Sequence, residues 1–247
     1  FFSKDSAIRQ AERLIEEGAD IIDIGGESTR PGAEEVSTEE EIKRVIPVVE
    51  TLRKRFDNIL ISVDTYKSEV ADVALSAGAD IINDISGLHF DANLGYVVSK
   101  YKAGLILMHT RGKPTEMQKN LIYEDFMKEV LSYLRSSIDK AVSAGISMDS
   151  LVLDPGIGFG KSYEHNLFIL KKLEEFRVFG LPLLIGTSRK SFIGKILDKE
   201  AKDRDLGTLA TIAIAIQNGA NIVRVHNVAM AKDVVMVSDA IKMSDSL

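Results

Sequence analysis

The strongest constraint on this chain is a phrase that it repeats. "GADIIDIGGE" starts at Gly18, "GADIINDISG" at Gly78 and "GANIVRVHNV" at Gly219. Each follows a helical pattern, opens on a glycine and runs into branched aliphatics. Ahead of Gly18, the residues Ile8, Ala11, Leu14 and Ile15 fall on one helical face. Glycine ends such a helix because it takes the left-handed backbone without a Cβ penalty. "AGISMDSLVLDPG" is a longer version, with Gly145 closing a helix before Leu151. The phrase reads as helix, stop, buried strand.

The same reading predicts strands at 20–24, 59–63, 81–85, 105–108, 151–153, 183–185 and 222–225. Helical periodicity lies between them. Ser37 or Thr38, each with a glutamate three residues on, offers a capping box for a helix striped by Ile42, Val45, Val49 and Leu52. Pro47 predicts a kink or a late start there. Continuous apolar strands alternating with helices imply a parallel sheet covered on both faces. A closed parallel barrel needs eight strands, and the first helix here has none before it. The expected fold is α/β: a TIM (β/α)8 barrel whose first strand lies upstream of Phe1. A doubly wound open sheet is the alternative. No Pro- or Ser-rich linker divides the chain, so residues 1–247 are read as a single domain.

Composition enters by exclusion. A net charge of −6 argues against phosphate-driven nucleic-acid binding. The absence of cysteine removes disulfides and thiolate sites and fits a reducing compartment, here the cytoplasm. No apolar run approaches the roughly 18 residues of a membrane span, and no signal peptide is visible. The chain opens on Phe1, Phe2 and Ser3 without an initiator Met, which suggests trimming upstream.

In a barrel of this kind the active site lies at the C-terminal strand ends. Those ends carry Asp23 and Glu27; Asp64; Asn83 and Asp84; His109 and Arg111; Asp154; Ser188, Arg189 and Lys190; and Arg224, His226 and Asn227. Singly, an Asp or Asn there often caps the next helix, Asp23 with Arg224 could be a buried ion pair, and His226 a core histidine. Polar endings on nearly every strand favour a site. Asp64, Asn83 and Asp154 suit a ligand rich in N–H donors. Lys190, Arg224 and His226 suit phosphate or a developing oxyanion. "DPGIGFGK" sets Gly156, Gly158 and Gly160 around Phe159, leaving room for backbone approach and an aromatic contact. It is neither a P-loop nor a dinucleotide fingerprint. "GGESTRPGA" reads as an exposed loop with Arg30 near its tip.

"DIGGESTRPGA", "SVDT", "IINDISG", "LDPGIGFGK", "SRKSFIG" and "RVH" stand here in the order seen in dihydropteroate synthases, and the resemblance runs over essentially the whole chain. It implies a TIM barrel that joins 6-hydroxymethyl-7,8-dihydropterin diphosphate to 4-aminobenzoate, giving 7,8-dihydropteroate and diphosphate in folate biosynthesis. It also implies a pterin pocket at Asp64, Asn83, Asp154 and Lys190. Arg224 matches the residue that stacks on the pterin and reaches the diphosphate, and His226 matches a diphosphate ligand. Arg30, Lys190, Arg224 and His226 are the expected catalytic set. Thr29, Arg30 and Pro31 match a mobile loop that closes over the site. Phe159 and Ser191 match the aminobenzoate pocket, where sulfonamides compete. Asp23 matches a further pocket acid. The resemblance implies magnesium (Mg2+) and a homodimer to which the helix with Val234, Val235 and Val237 could contribute.

Two departures from the family pattern bear on function. The family's first strand and "NVTPDSF" loop would precede Phe1, so that loop's magnesium-associated Asn has no counterpart and no metal ligand is expected within this chain. "RVHNV" stands where the family often has "RVHDV", which puts Asn227 beside His226. Two rival readings share the barrel. One is a methyltetrahydrofolate–corrinoid methyltransferase, which would not need "SRKSFIG" or the "ESTRPG" loop. The other is a barrel that binds pterin without catalysis.

Overall fold

The computed structural model describes residues 3–30, 32–119 and 121–244. The chain alternates as the repeated phrase requires: α1 (Lys4–Glu16), β1 (Ile21–Gly25), α2 (Thr38–Arg55), β2 (Leu60–Asp64), α3 (Ser68–Ser76), β3 (Ile81–Asp84), α4 (Leu94–Tyr101) and β4 (Gly104–Met108). It continues through α5 (Phe126–Ser143), β5 (Leu151–Asp154), α6 (Tyr163–Lys171), β6 (Leu184–Ile185), α7 (Ser191–Leu197), α8 (Asp205–Gln217), β7 (Ile222–Val223) and α9 (Val228–Lys242). Each predicted strand is present, with ends shifted by a residue or two. Gly18, Gly78, Gly145 and Gly219 all have positive φ, between 90° and 113°. Gly18, Gly78 and Gly219 are separated by two residues from the strands at 21, 81 and 222, and Gly145 precedes the strand at 151 by a short turn over Met148–Ser150.

The helix over Pro47 does not start late. Ser37 caps α2 by accepting the Glu40 N–H, and the helix runs through Pro47 to Arg55. The capping box is half formed, because the Glu40 side chain pairs with Arg44 instead.

β1 to β5 pair in parallel and in sequence order. A bridge from Leu153 to Leu183 carries the wall on to β6, which pairs in parallel with β7. The order never reverses, as a doubly wound sheet would require. The two ends of the wall also meet: Arg224, just past β7, bonds Asp23 on β1 at 2.7 Å. The wall is curled, and the fold is a TIM barrel. Ile61, Val63, Ile82, Leu105, Leu107 and Leu153 are fully buried in the core that also takes in Val45, Leu52, Leu94 and Leu134 of the helices. Each such side chain contributes roughly 1.5–3 kcal/mol, enough in sum to hold a ring of strand ends whose polar groups are not chosen for stability. Among the described residues, no helix is long and apolar enough to cross a membrane.

Candidate active site

The site is built on the parity of the strands. Side chains alternate faces along a strand, and register pairs Asp23 with Ser62, Gly25 with Asp64, and Asp64 with Asn83. This brings Asp23, Asp64 and Asn83 together at the ends of β1, β2 and β3. The Asn83 amide donates to Asp23 Oδ2 at 3.2 Å. Arg224 donates from Nε to Asp23 Oδ2 at 2.7 Å and from Nη2 to Asp64 Oδ2 at 3.2 Å. The two acids are 16% and 8% exposed, whereas the Arg224 side chain is 49% exposed. The guanidinium therefore lies at the mouth of the pocket over two sunken carboxylates. Asp23 Oδ1 is buried with no hydrogen-bond partner among the described residues.

Electrostatics separate these groups. Burial, and then the Asp23 charge, push the Asp64 carboxyl up to about 7 against the pull of Arg224. The Asp23 charge holds Arg224 firmly protonated in spite of desolvation. Burial also raises Asp154 at the end of β5, although the Gly156 N–H donates to its Oδ1 at 2.7 Å. Burial lowers Lys190 to about 8. The Lys190 ammonium donates to the Ile157 carbonyl and sits 4.6 Å from the centre of the Phe159 ring. Gly156 has φ of 71°, and a Cβ there would overlap the His109 carbonyl oxygen, so only glycine lets this loop turn under Phe159.

On the other side of Arg224, the His226 N–H donates to Ser188 Oγ at 3.2 Å, and Ser188 Oγ lies 2.8 Å from His226 Nδ1. The Ser188 hydroxyl can donate to this ring nitrogen or accept from it, and in either case it fixes the orientation of the imidazole. Burial comes first in lowering the His226 pKa, followed by the charges of Arg189, Arg224 and Arg30. Arg30 thus acts on the same spot from the loop after β1. The pocket has an acceptor-rich floor and a rim of cationic and imidazole groups.

A family model described as pterin binding enzyme matches residues 1–226. The dihydropteroate synthase of Synechocystis sp. is 50% identical over 234 residues, which cover 94% of this chain and 81% of that one. This chain belongs to the dihydropteroate synthase family. Among solved structures of that family, the Yersinia pestis synthase with a sulfonamide drug superposes with a TM-score of 0.95 at 42% identity, covering 98% of this chain and 88% of that one. The Clostridium difficile synthase determined in the presence of pteroic acid gives 0.91 at 44% identity, covering 96% and 88%.

Within this dihydropteroate synthase barrel, Asp23, Asp64, Asn83 and Arg224 form one bonded group, and Lys190 with Phe159 forms another. Ser191 begins α7, next to Lys190. Thr29 and Arg30 lie on the loop after β1, while Pro31 lies outside the described residues. Other strand-end groups are used elsewhere. Glu27 binds the far end of its own loop at Val36. Asp84 accepts from the N–H groups of Ser86 and Leu88. His109 faces a buried lysine, Lys161, with Nζ 2.7 Å from Nδ1. Asn227 caps α9 by accepting the Met230 N–H and also donates to Asp205 at 3.3 Å. Sequence reasoning missed Lys67, Glu41 and Lys161, all part-buried or buried charges. Lys161 is the last residue of "DPGIGFGK", and Glu41 stands in the Thr38 capping pattern, but neither motif points to these contacts.

Proposed function

We propose that Asp64, Asn83 and Asp154 accept the N–H edge of the pterin, that Arg224, His226 and Lys190 face its diphosphate and the reacting methylene, and that 4-aminobenzoate enters beside Phe159 and Ser191 beneath Thr29 and Arg30. The reaction is that of the family: 4-aminobenzoate displaces diphosphate from 6-hydroxymethyl-7,8-dihydropterin diphosphate, giving 7,8-dihydropteroate. The chain is a transferase, and this reading treats residues 1–247 as one pterin-binding domain. The observation that carries the residue roles is Arg224 bridging Asp23 and Asp64 beside Asn83. Anions grouped beneath a cation would suit a cationic pterin beside a departing diphosphate, which supports the reading. Identity of 50% to a dihydropteroate synthase leaves the corrinoid methyltransferase without support.

An aromatic amine is a weak nucleophile, so activation of the electrophile dominates. The C–O bond at the exocyclic methylene breaks, and its electron pair leaves with the diphosphate. The resulting pterin cation is favoured by ionised Asp64 and Asp154, and the diphosphate by Arg224 and His226. The amine nitrogen then forms the C–N bond and gives its proton to solvent or to the departed diphosphate. No protein nucleophile takes part.

Magnesium, when bound, neutralises diphosphate charge. Such an ion needs only one or two carboxylates beside substrate phosphates and water; with Asp23 and Asp64 engaged with Arg224, the diphosphate itself would supply most of its ligands. The steps above accordingly use only this chain's own groups.

A cytoplasmic homodimer completes the reading. Val234 and Val235 pack inward against Ile212 and Ile216, so of the three valines only Val237 faces out. It joins Met236 and Ile241 on α9 and Leu206 and Ile214 on α8 as exposed apolar groups suited to a second copy.

The test mixes chain, pterin diphosphate, 4-aminobenzoate and magnesium and follows diphosphate release. Release that needs both substrates and yields dihydropteroate supports the reading, whereas bound pterin without release favours the non-catalytic alternative. With aminobenzoate omitted, scrambling of oxygen-18 from the bridging to the non-bridging diphosphate positions would show that C–O cleavage comes first.

A further inference from the structure

A second knot of charged side chains lies beside the pocket. Glu27 follows β1 and Val36 precedes α2, and between them runs the 28–35 loop with Thr29 and Arg30. The feet of this loop are joined. The Val36 N–H donates to Glu27 Oε2 at 2.9 Å. The Lys67 ammonium donates to the same oxygen at 2.7 Å, to the Val36 carbonyl at 2.5 Å and to Glu41 Oε2 on α2 at 2.6 Å. An ammonium has three N–H bonds, so every donor of Lys67 is engaged here. The Tyr66 hydroxyl donates to the remaining oxygen, Glu27 Oε1, at 2.9 Å. The Lys67, Glu27 and Glu41 side chains are 16%, 5% and 1% exposed. Gly26 permits the packing, since a Cβ there would stand 2.8 Å from Glu41 Cγ.

The tip is held differently. The Gly32 N–H donates to the Pro114 carbonyl at 3.0 Å. Glu35 pairs with Lys113 at 2.6 Å, both side chains being largely open to solvent. A solvated pair of that kind holds weakly and weakens further with salt. The neck is fastened by sheltered charge-assisted bonds, and the tip, among the described residues, by a backbone bond and a solvated pair.

We propose that Lys67 is a positioning residue for the condensation. By tying Glu27 to Val36, and both to α2 through Glu41, it confines the loop's movement to residues 28–35, so that Arg30 returns over the pocket in a single register. Lys67 touches neither substrate. It acts through where Thr29 and Arg30 come to rest, and the proposal therefore depends on the reading of this loop as the segment that closes over aminobenzoate.

Removing Lys67 leaves two sheltered carboxylates facing each other, so Lys67→Met is paired with Lys67→Met/Glu41→Gln, which relieves that repulsion. In both, the KM for 4-aminobenzoate rises about tenfold or more and kcat falls, as expected for a misplaced positioning segment, while the pterin Kd from calorimetry stays within about twofold. Lys67→Arg, which keeps the charge, recovers much of the loss. Unchanged KM and kcat per folded molecule, or an equal loss of pterin affinity, would overturn the proposal. Amide exchange of the unsubstituted chain tests the neck without any variant: Val36 exchanges at least about tenfold more slowly than Arg30. If Val36 exchanges as fast as Arg30, the neck is not fixed and the proposal is wrong. If Arg30→Ala leaves turnover intact, the reading of the loop falls and takes the proposal with it, even where the exchange contrast is seen.

Discussion

Asp64→Asn separates stability from function. Asp64 is buried, and its carboxyl stands at about 7, raised by burial first and by Asp23 second. Below about pH 4 the group is protonated in the folded and unfolded chains alike and costs nothing. Between there and pH 7 the folded chain holds a proton that the unfolded chain has lost, so stability falls as pH rises, at up to about 1.4 kcal/mol per pH unit. Above pH 7 the penalty is complete. Set against the pull of Arg224, the penalty is roughly 2–4 kcal/mol. Asparagine has the same shape and never ionises. Arg224 is not stranded by the change, since it keeps Asp23 at 2.7 Å and is half open to water. The variant is thus expected to melt about 5–10 °C higher than the parent near pH 8 for a chain of this size, with the gap closing toward pH 5. Pterin affinity moves the other way. The amide loses the charge that accepts two N–H bonds, and charge-assisted bonds of about 1.5–3 kcal/mol each predict a loss of roughly 100-fold or more. Thermal melts across pH 5–9 and pterin calorimetry read both arms. A melting gap that ignores pH, or a variant less stable near pH 8, would refute the electrostatic argument. Retained pterin affinity would refute the pocket.

Three further outcomes are expected. Arg30→Ala lowers turnover by about tenfold or more but leaves the pterin Kd nearly unchanged, because a closing loop acts after the first substrate binds; equal losses in steady-state kinetics and calorimetry would argue against closure. Asn227→Asp keeps the cap on α9 but sets a carboxylate 3.3 Å from Asp205. It should cost about 1 kcal/mol in a low-salt melt and change turnover less than tenfold; a tenfold rise in turnover would contradict this. Gly156→Ala drives a Cβ into the His109 carbonyl at a φ of 71° and is expected to destabilise by about 3 kcal/mol or more; a soluble variant with the parent's melting point would show that the loop can yield.

The fold was legible because its signals are local. A glycine at positive φ, a run of branched aliphatics and a 3.6-residue stripe each occupy a few consecutive positions, and seven strands alternating with helices, four of them preceded by such a glycine, left little room for another architecture. Of the two expectations for Pro47, the late start fails: with its cap at Ser37 and with Val45, Val49 and Leu52 buried, α2 runs through it. The Lys67 knot was invisible for the opposite reason. Its partners Glu27 and Glu41 lie 40 and 26 residues away, and nothing in the neighbourhood of a lysine announces which distant carboxylate will meet it. Glu27 was accordingly grouped with the strand-end ligands, although its carboxylate closes the neck of a loop.

The strand-end polar groups could have been divided further from the sequence, by parity. Asn83 and Asp84 are neighbours and were taken together as candidates. In a strand they must face opposite ways. Register puts Asn83 opposite Asp64, and its amide goes to Asp23, whereas the Asp84 carboxylate is engaged by Ser86 and Leu88 in the following turn. The same count sorts β4, where Met108 pairs with Asp154 in the register and His109, one residue on, turns to Lys161. It also explains "RVH": Arg224 and His226 stand two apart, and both belong to the pocket rim, while Val225 between them packs with Ile212 and Ile216. Positions of one parity thus build the site and positions of the other hold the turns and the core. A substitution at Asp84 is therefore expected to act on stability, and one at Asn83 on pterin binding.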